Sequence, residues 1–379
     1  MINNIEKTSL SELTTLGVGG KVKNLISIKN KSELKLIYHD TDVFNGSFTV
    51  LGEGSNVCFS DSEFDGYIIK LVNKGIEVIN ETDDSIYLSV AAGENWDDLV
   101  SYTVEQGFWG IENMSLIPGS VGACPVQNVG AYGQDCRDVI HEVKAYDISK
   151  NAFVSISNSA CNFGFRTSIF NETRAINFII SDVVFKLSKH PQPNVTRKGI
   201  YKSVSNSLES DELQKLIRAA VISERSDGKN LPTDTSIGCA GTFFRTAVVK
   251  KADIFHIFFK TLFSLGPRVA LMMLGFTIKY RSKDGCKLPS KFLIDACNIS
   301  GFRKNSVFLF PSNSAVLATD KKSTPKSEDI IYVIRYVRET VYLKTGVKIP
   351  IEPTLIGFSK SELEYTFGFG DNCGTKEFL

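Results

Sequence analysis

The chain has 379 residues, 42% of them hydrophobic and 22% charged, with a formal net charge of +1; that length is enough for two or three domains with a substantial core. The balanced charge gives no reason to expect nucleic acid or a membrane as partner, and no apolar run approaches the roughly 20 residues a bilayer span needs. The N-terminal stretch MINNIEKTSLSEL has no basic region followed by an apolar core, so a cytoplasmic location is expected. Cysteines at 58, 124, 136, 161, 239, 286, 297 and 373 form no C-x-x-C pair and read as free, mostly buried thiols. The four histidines, His39, His141, His190 and His256, lack ligand spacing, so no metal site is expected.

In chain order, Val22–Ile28 alternates as a strand. A helix follows, capped by Ser32 and packing through Leu34, Leu36 and Ile37. Strands are predicted at Phe48–Leu51, Val57–Phe59 and Gly66–Leu71, a β-α-β-β unit. Ile76–Ile79 and Ile86–Ala92 read as paired strands across a polar turn. A helix from Trp96 to Gln106, started by Asn95 or Asp97, ends at Gly107. Further strands are predicted at Val139–Asp147, Phe153–Ile156 and Ile176–Leu187. The polar stretch Lys189–Lys202, with Pro191 and Pro193, reads as a connector. Asp211–Glu224 is an amphipathic helix with Leu213, Leu216, Ile217, Ala220 and Val221 on one face. Ser226–Pro232 marks a boundary. In the block beyond it, a long helix starts with Ser327 and Asp329 as its cap and stops at Gly346, before an extended return over Ile349–Ile356.

One stretch fits neither period. Ile117–Gly133, IPGSVGACPVQNVGAYG, combines Gly119, Gly122, Gly130 and Gly133 with two prolines and small residues. Such a run brings backbone close to a flat or charged group, with successive N–H groups as anion donors. The loop Leu51-Gly52-Glu53-Gly54-Ser55-Asn56 has the same character, and the pair suggests one large cofactor with phosphates. Neither loop is a G-x-G-x-x-G opening a helix or a G-x-x-x-x-G-K-[ST], which disfavours Rossmann and P-loop readings.

Three side chains stand out. Arg166, in CNFGFRTSIF, is either a carboxylate clamp or a surface arginine after a strand. Thr242, in GCAGTFF, is either a proton donor or a turn residue. Glu352, in IPIEPTLI, is a carboxylate on an apolar extended segment: half-buried it needs a partner, and alternating outward it is solvated.

Together the segments LTTLGVGG, LGEGSNVCFSD, AAGENWDDLVSYTVEQG, GIENMSLIPGSVGACPVQNVGAYGQD, CNFGFRTSIF, GCAGTFF, LID and IEP resemble the UDP-N-acetylenolpyruvoylglucosamine reductase (MurB) family, in the same order along nearly the whole chain. The resemblance is to the subgroup that keeps an intact G-A-Y-G loop. It implies an α+β, three-domain FAD-binding fold of the vanillyl-alcohol-oxidase (PCMH) type with a MurB-type substrate domain. The expected segments are 1–73, 74–227 completed by 348–379, and 228–347. It implies FAD held by Leu51, Gly52, Glu53, Gly54, Ser55, Asn56, Pro118, Gly119, Ser120, Val121, Gly122, Ala123, Gln127, Asn128, Gly130, Ala131 and Tyr132. It implies NADPH as reductant, an enolpyruvyl sugar nucleotide as substrate and a monomer. Arg166, Thr242 and Glu352 match the family's catalytic arginine, serine and glutamate.

The departures fall on the substrate side. Thr242 stands for serine, Thr246 for an asparagine that contacts diphosphate, Phe165 for tyrosine and Asn313 for glutamine, and a basic residue is displaced to Lys229. Lys198, Lys229 and Arg245 are then the expected phosphate ligands, with Asn313 beside them. Two readings follow: the ordinary reaction, or a relative that reduces a different enolpyruvyl or unsaturated substrate. A flavin- or sugar-nucleotide-binding protein without turnover is the third, disfavoured by the retained Arg166, Thr242 hydroxyl and Glu352.

Overall fold

The computed structural model describes residues 5–39, 43–44, 46–171, 177–209, 212–282 and 285–368. The described chain divides into two compact units. One gathers residues 5–8, 22–54 and 64–227, and the other residues 9–21, 55–63 and 228–368.

The first unit holds two sheets. Lys21–Ile28, Phe64–Leu71 and Phe48–Leu51 pair in parallel, with Phe64–Leu71 in the middle. The helix Glu33–His39 buries Leu34 and Ile37. Leu36, expected to pack with them, is exposed, because a short helix packed on one side offers the core only its i, i+3 pair.

The second sheet is antiparallel, in the order Ala152–Ser157, Ile140–Asp147, Phe178–Ser188, Ser85–Ala91, Ile76–Glu81. Its inner face supplies Ile86, Leu88, Val90, Val143, Ala145, Val183 and Phe185 to a core that the helix Trp96–Glu105 closes with Trp96, Leu99 and Val100. That helix is capped as expected: the Asn95 side chain accepts from the Asp97 and Asp98 N–H groups.

A smaller core joins Trp109 to two helices, Lys198–Val204 and Leu213–Ser226. The first of these begins inside the stretch expected to be a connector. Ile200 and Val204, four residues apart and both buried, are its only apolar anchors, too sparse a pattern to announce a helix without the neighbour they pack on. Leu216, placed on the apolar face of the second helix, is partly exposed.

In the second unit, Ile237–Cys239, Leu317–Asp320, Val307–Leu309 and Arg303–Lys304 form an antiparallel sheet. The helix Ser327–Thr345 packs Ile330, Val333, Ile334, Val337 and Val341 into the same core. Its cap is not the local one. Asp61 Oδ2 accepts from the Ser327 N–H at 2.7 Å and the Asp61 N–H donates to Ser327 Oγ at 3.0 Å, while Asp329 is taken up by the Asn305 amide. A carboxylate at a helix N-terminus suits the dipole whatever its position in the chain. Thr354–Ile356 pairs in parallel with Val57–Phe59, and residues 348–368 cluster in this unit.

Among the described residues seven cysteines are free and all but Cys239 are buried. Burial pushes the Cys161 thiol up to about 12 and the Cys297 thiol to about 11, the latter despite Lys344. Both are inert at neutral pH.

Candidate flavin and substrate site

The two small-residue loops lie side by side in the first unit. A Cβ on Gly52 would sit 2.8 Å from Ser120 Oγ and 3.4 Å from Ala123 Cβ. A Cβ on Gly122 would meet Ala92 Cβ at 2.6 Å. Only hydrogen fits at either position. The second loop is zipped onto residues 92–96: Val121 N–H donates to the Glu94 carbonyl, Gly122 N–H to Ala92, and Trp96 N–H to Gly119. Among the described residues, no acceptor faces the N–H groups of Gly52, Glu53, Gly119 and Ser120. Two adjacent loops without bulk and with uncommitted donors fit a phosphate-bearing cofactor. Lys70, 3.7 Å from Glu53, offsets the acid in the first loop. Beyond Gly54 that loop continues into the second unit, where the Asn56 carbonyl accepts from the Thr354 N–H.

The G-A-Y-G loop is a two-residue hairpin. Gly130–Ala131 pairs with Gln134–Asp135, and Tyr132 and Gly133 have φ of 50° and 89°, the signs a type I′ turn requires. A tyrosine held at positive φ costs about 1–2 kcal/mol, so the surroundings must impose it. They do: Asn113, fully buried, donates from Nδ2 to the carbonyls of Tyr132 (2.9 Å) and Asn194 (2.7 Å). The Gln134 side chain accepts from the Asn113 N–H and donates to buried Glu112, and Asn194 donates back to the Gly133 carbonyl. The Arg197 guanidinium lies 4.7 Å from the centre of the Tyr132 ring, and Arg225 hydrogen-bonds the same tyrosine. Burial lowers the proton affinity of Arg225, and Tyr132 and Asp97 restore part of it.

Asp97 ties this cluster to the start of the glycine stretch. It accepts from the Leu116 N–H at 2.6 Å and from both Nη atoms of Arg218, at 2.7 and 3.0 Å. Burial works against its charge, but the Arg218 fork and the Leu116 N–H outweigh it and hold the carboxyl below the usual aspartate range. In the sequence Asp97 reads only as a possible helix start, and Asn113, Arg218 and Arg225 carry no expectation. Their signal is tertiary, apart from the polar run Glu112-Asn113 inside an apolar stretch.

Arg166 is half-buried, at φ 59°. Its guanidinium donates to the carbonyls of Asn128 (3.4 Å) and Gly130 (3.0 Å), which seats it against the glycine stretch. Asn128 itself is spent on structure, donating to the Gly164 carbonyl and accepting from the Arg137 N–H.

The segments that carry Thr242 and Glu352 pair in the second unit. The Glu352 N–H donates to the carbonyl of Phe243 at 2.9 Å, and Phe244 bridges Ile351, so the two segments run together for three residues. Phe243 and Phe244 are fully buried and their N–H groups both reach the Ala315 carbonyl, while Thr242 is exposed at the surface of this rigid turn. Glu352 is half-buried.

Of the phosphate candidates, Arg245 has its N–H on the Pro350 carbonyl and is part of the same corner. Asn313 is a brace: its amide donates to the Asn230 carbonyl and accepts from the Ala315 N–H, which fixes the segment next to Lys229. Lys198 is exposed at the start of its helix, and Arg197 rather than Lys198 approaches Tyr132. A cavity of about 380 Å³ lined by Arg303, Asn305, Ser323, Lys326, Glu328 and Asp329 includes none of the candidate residues.

A family profile described as FAD binding domain matches residues 22–151. The chain is 31% identical over 357 residues, 94% of its length and 98% of the relative's, to the UDP-N-acetylenolpyruvoylglucosamine reductase of Neisseria gonorrhoeae. It is 32% identical over 349 residues, 92% of its length and 98% of the relative's, to that of Flavobacterium johnsoniae. Its fold is similar to the crystal structure of UDP-N-acetylenolpyruvylglucosamine reductase from Thermus caldophilus, with a TM-score of 0.62 at 19% identity over 93% of this chain and 98% of that one. The fold is therefore the α+β one of that enzyme, and by the extent of these matches the chain belongs to the UDP-N-acetylenolpyruvoylglucosamine reductase family.

Proposed function

We propose that this chain is a FAD-dependent reductase that uses NADPH to reduce the enolpyruvyl ether of UDP-N-acetylglucosamine enolpyruvate to UDP-N-acetylmuramate, a step of peptidoglycan precursor synthesis. The observation that carries the reading is the corner at Phe243, where the Glu352 N–H bond holds the backbone of Glu352 against the segment that carries Thr242. The two small-residue loops would hold FAD, which when bound would supply hydride chemistry with NADPH as the reductant. Gly52, Glu53, Gly119 and Ser120 present N–H donors to it. Arg166, seated on Asn128 and Gly130, presents a cation to the substrate carboxylate and stabilises charge that develops there. Thr242 holds a proton at Oγ1 for the carbon that becomes nucleophilic, and Glu352 stands as the neighbouring acid. Threonine keeps the hydroxyl and stiffens χ1, so it changes orientation and not chemistry.

A monomeric, cytoplasmic protein with the division 1–73, 74–227 plus 348–379, and 228–347 belongs to the same proposal, supported by the family's pattern. A second reading, another enolpyruvyl or unsaturated substrate on the same machinery, is favoured by Asn313, whose amide is already committed to Asn230 and Ala315. One anaerobic experiment separates them. NADPH should bleach the flavin, and UDP-N-acetylglucosamine enolpyruvate should restore its colour. Bleaching without recovery would favour the second reading, and no bleaching would overturn both.

A further inference from the structure

Two consecutive helices of the second unit, Ile254–Leu265 and Pro267–Lys279, pack on each other and bury little. The first buries only Ile257 and Thr261, and the second Ala270, Met273 and Thr277. On the opposite side of the first helix, Phe255, Phe259 and Phe263 recur every fourth residue and are 74%, 38% and 83% exposed. Their ring centres are 4.6 and 6.4 Å apart in sequence, so they form one continuous aromatic ridge. The second helix leaves Leu271 and Ile278 exposed as well. Single exposed apolar residues are ordinary, but a ridge of this kind marks a surface with a partner.

Charge selects the partner. From Lys250 to Arg281 the cations are Lys250, Lys251, Lys260, Arg268, Lys279 and Arg281, and the sole acid is Asp253. All of these cations but Lys260 are exposed. The net charge of the whole chain hides this, because acids elsewhere cancel it. A second copy of the chain would set this basic surface against itself, whereas an anionic surface complements it. Aromatic side chains flanked by lysine and arginine on a helical surface suit the boundary between lipid headgroups and acyl chains. Among the described residues no helix is long and apolar enough to cross a membrane, so the contact is with its surface.

We propose that the helical hairpin 254–279 docks the protein on an anionic lipid surface, with Phe255, Phe259 and Phe263 entering the acyl boundary and the surrounding cations meeting the headgroups. The test is co-sedimentation of the full-length, flavin-loaded protein with phosphatidylglycerol–phosphatidylcholine vesicles and with phosphatidylcholine vesicles. Binding to the anionic vesicles should be about tenfold or more the stronger and should weaken as salt is raised. Phe255→Ser with Phe263→Ser should abolish it at unchanged flavin absorbance, and Lys250→Glu with Lys251→Glu should reduce it. Equal binding to both vesicles, or none, would overturn the proposal. So would a dimer seen by light scattering without lipid that the phenylalanine substitutions dissolve, since the ridge would then belong to a second copy.

Discussion

The glycine loops of the first unit and the Phe243 corner of the second are both over-determined, but in different currencies. In the first, side chains hold backbone: Asn113, Asn194 and Arg166 end on main-chain groups of the glycine stretch, and Asp97 on the Leu116 N–H just before it. In the second, backbone holds side chains: Phe243, Phe244, Arg245 and Glu352 are fixed through their N–H groups, and Thr242 and Glu352 are presented from that frame. A site that offers N–H donors to a cofactor must shape its main chain. If Thr242 and Glu352 act as proposed, the second region must fix the Cα positions from which they project.

The largest effect that would break this contrast is on chemistry. Glu352→Gln should slow reoxidation by substrate about a hundredfold, a usual scale for general acid catalysis, while reduction by NADPH stays within about twofold in the same stopped-flow record. Equal losses in the two half-reactions would place Glu352 in the framework. Thr242→Ala should behave like Glu352→Gln and Thr242→Ser like the parent; matching activity in the two would remove the hydroxyl from the reaction.

Gly122→Val tests the opposite region. Its first added carbon meets Ala92 Cβ at 2.6 Å, with backbone behind it. Overpacking of this kind costs about 1–3 kcal/mol; read as flavin dissociation, that is about tenfold or more weaker retention, by absorbance after gel filtration. A fully flavinated variant would show that the loop contact is not needed for the cofactor.

Asn113→Ala leaves the Tyr132 and Asn194 carbonyls without their buried donor and should cost about 2 kcal/mol in denaturant unfolding. Asp97→Asn should cost about 1 kcal/mol, discounted for partial exposure. Its folded-state carboxyl is held below the usual range, so the contribution is full above the unfolded value of about 3.9 and is lost as pH falls through the folded one. The acid limb of the parent's stability curve should flatten in the variant. Leu36→Ser should change stability by less than about 0.5 kcal/mol, since the side chain is 64% exposed.

Much of the scaffold was legible. The strand runs, the Asn95 cap and the stop at Gly346 are local in the chain, because hydrogen bonds and side-chain periodicity there join near neighbours. The helix Lys198–Val204 was not, since Ile200 and Val204 signal nothing until Leu213 and Ile217 lie across from them. The cap of Ser327–Thr345 was misplaced for the same reason: Asp61 is distant in sequence and adjacent in space.

By itself, then, the sequence determined the small-residue loops, the family pattern and the identities of Arg166, Thr242 and Glu352, all of them features of composition and order along the chain. Only the tertiary structure decided that Gly52 closes on Ser120, that Arg166 rests on Gly130, that Glu352 is pinned to Phe243, and that Asn113 holds a tyrosine at positive φ. Each of these is a contact between segments far apart in the chain, whose pairing is set by how the cores pack and is carried by no local pattern of residues.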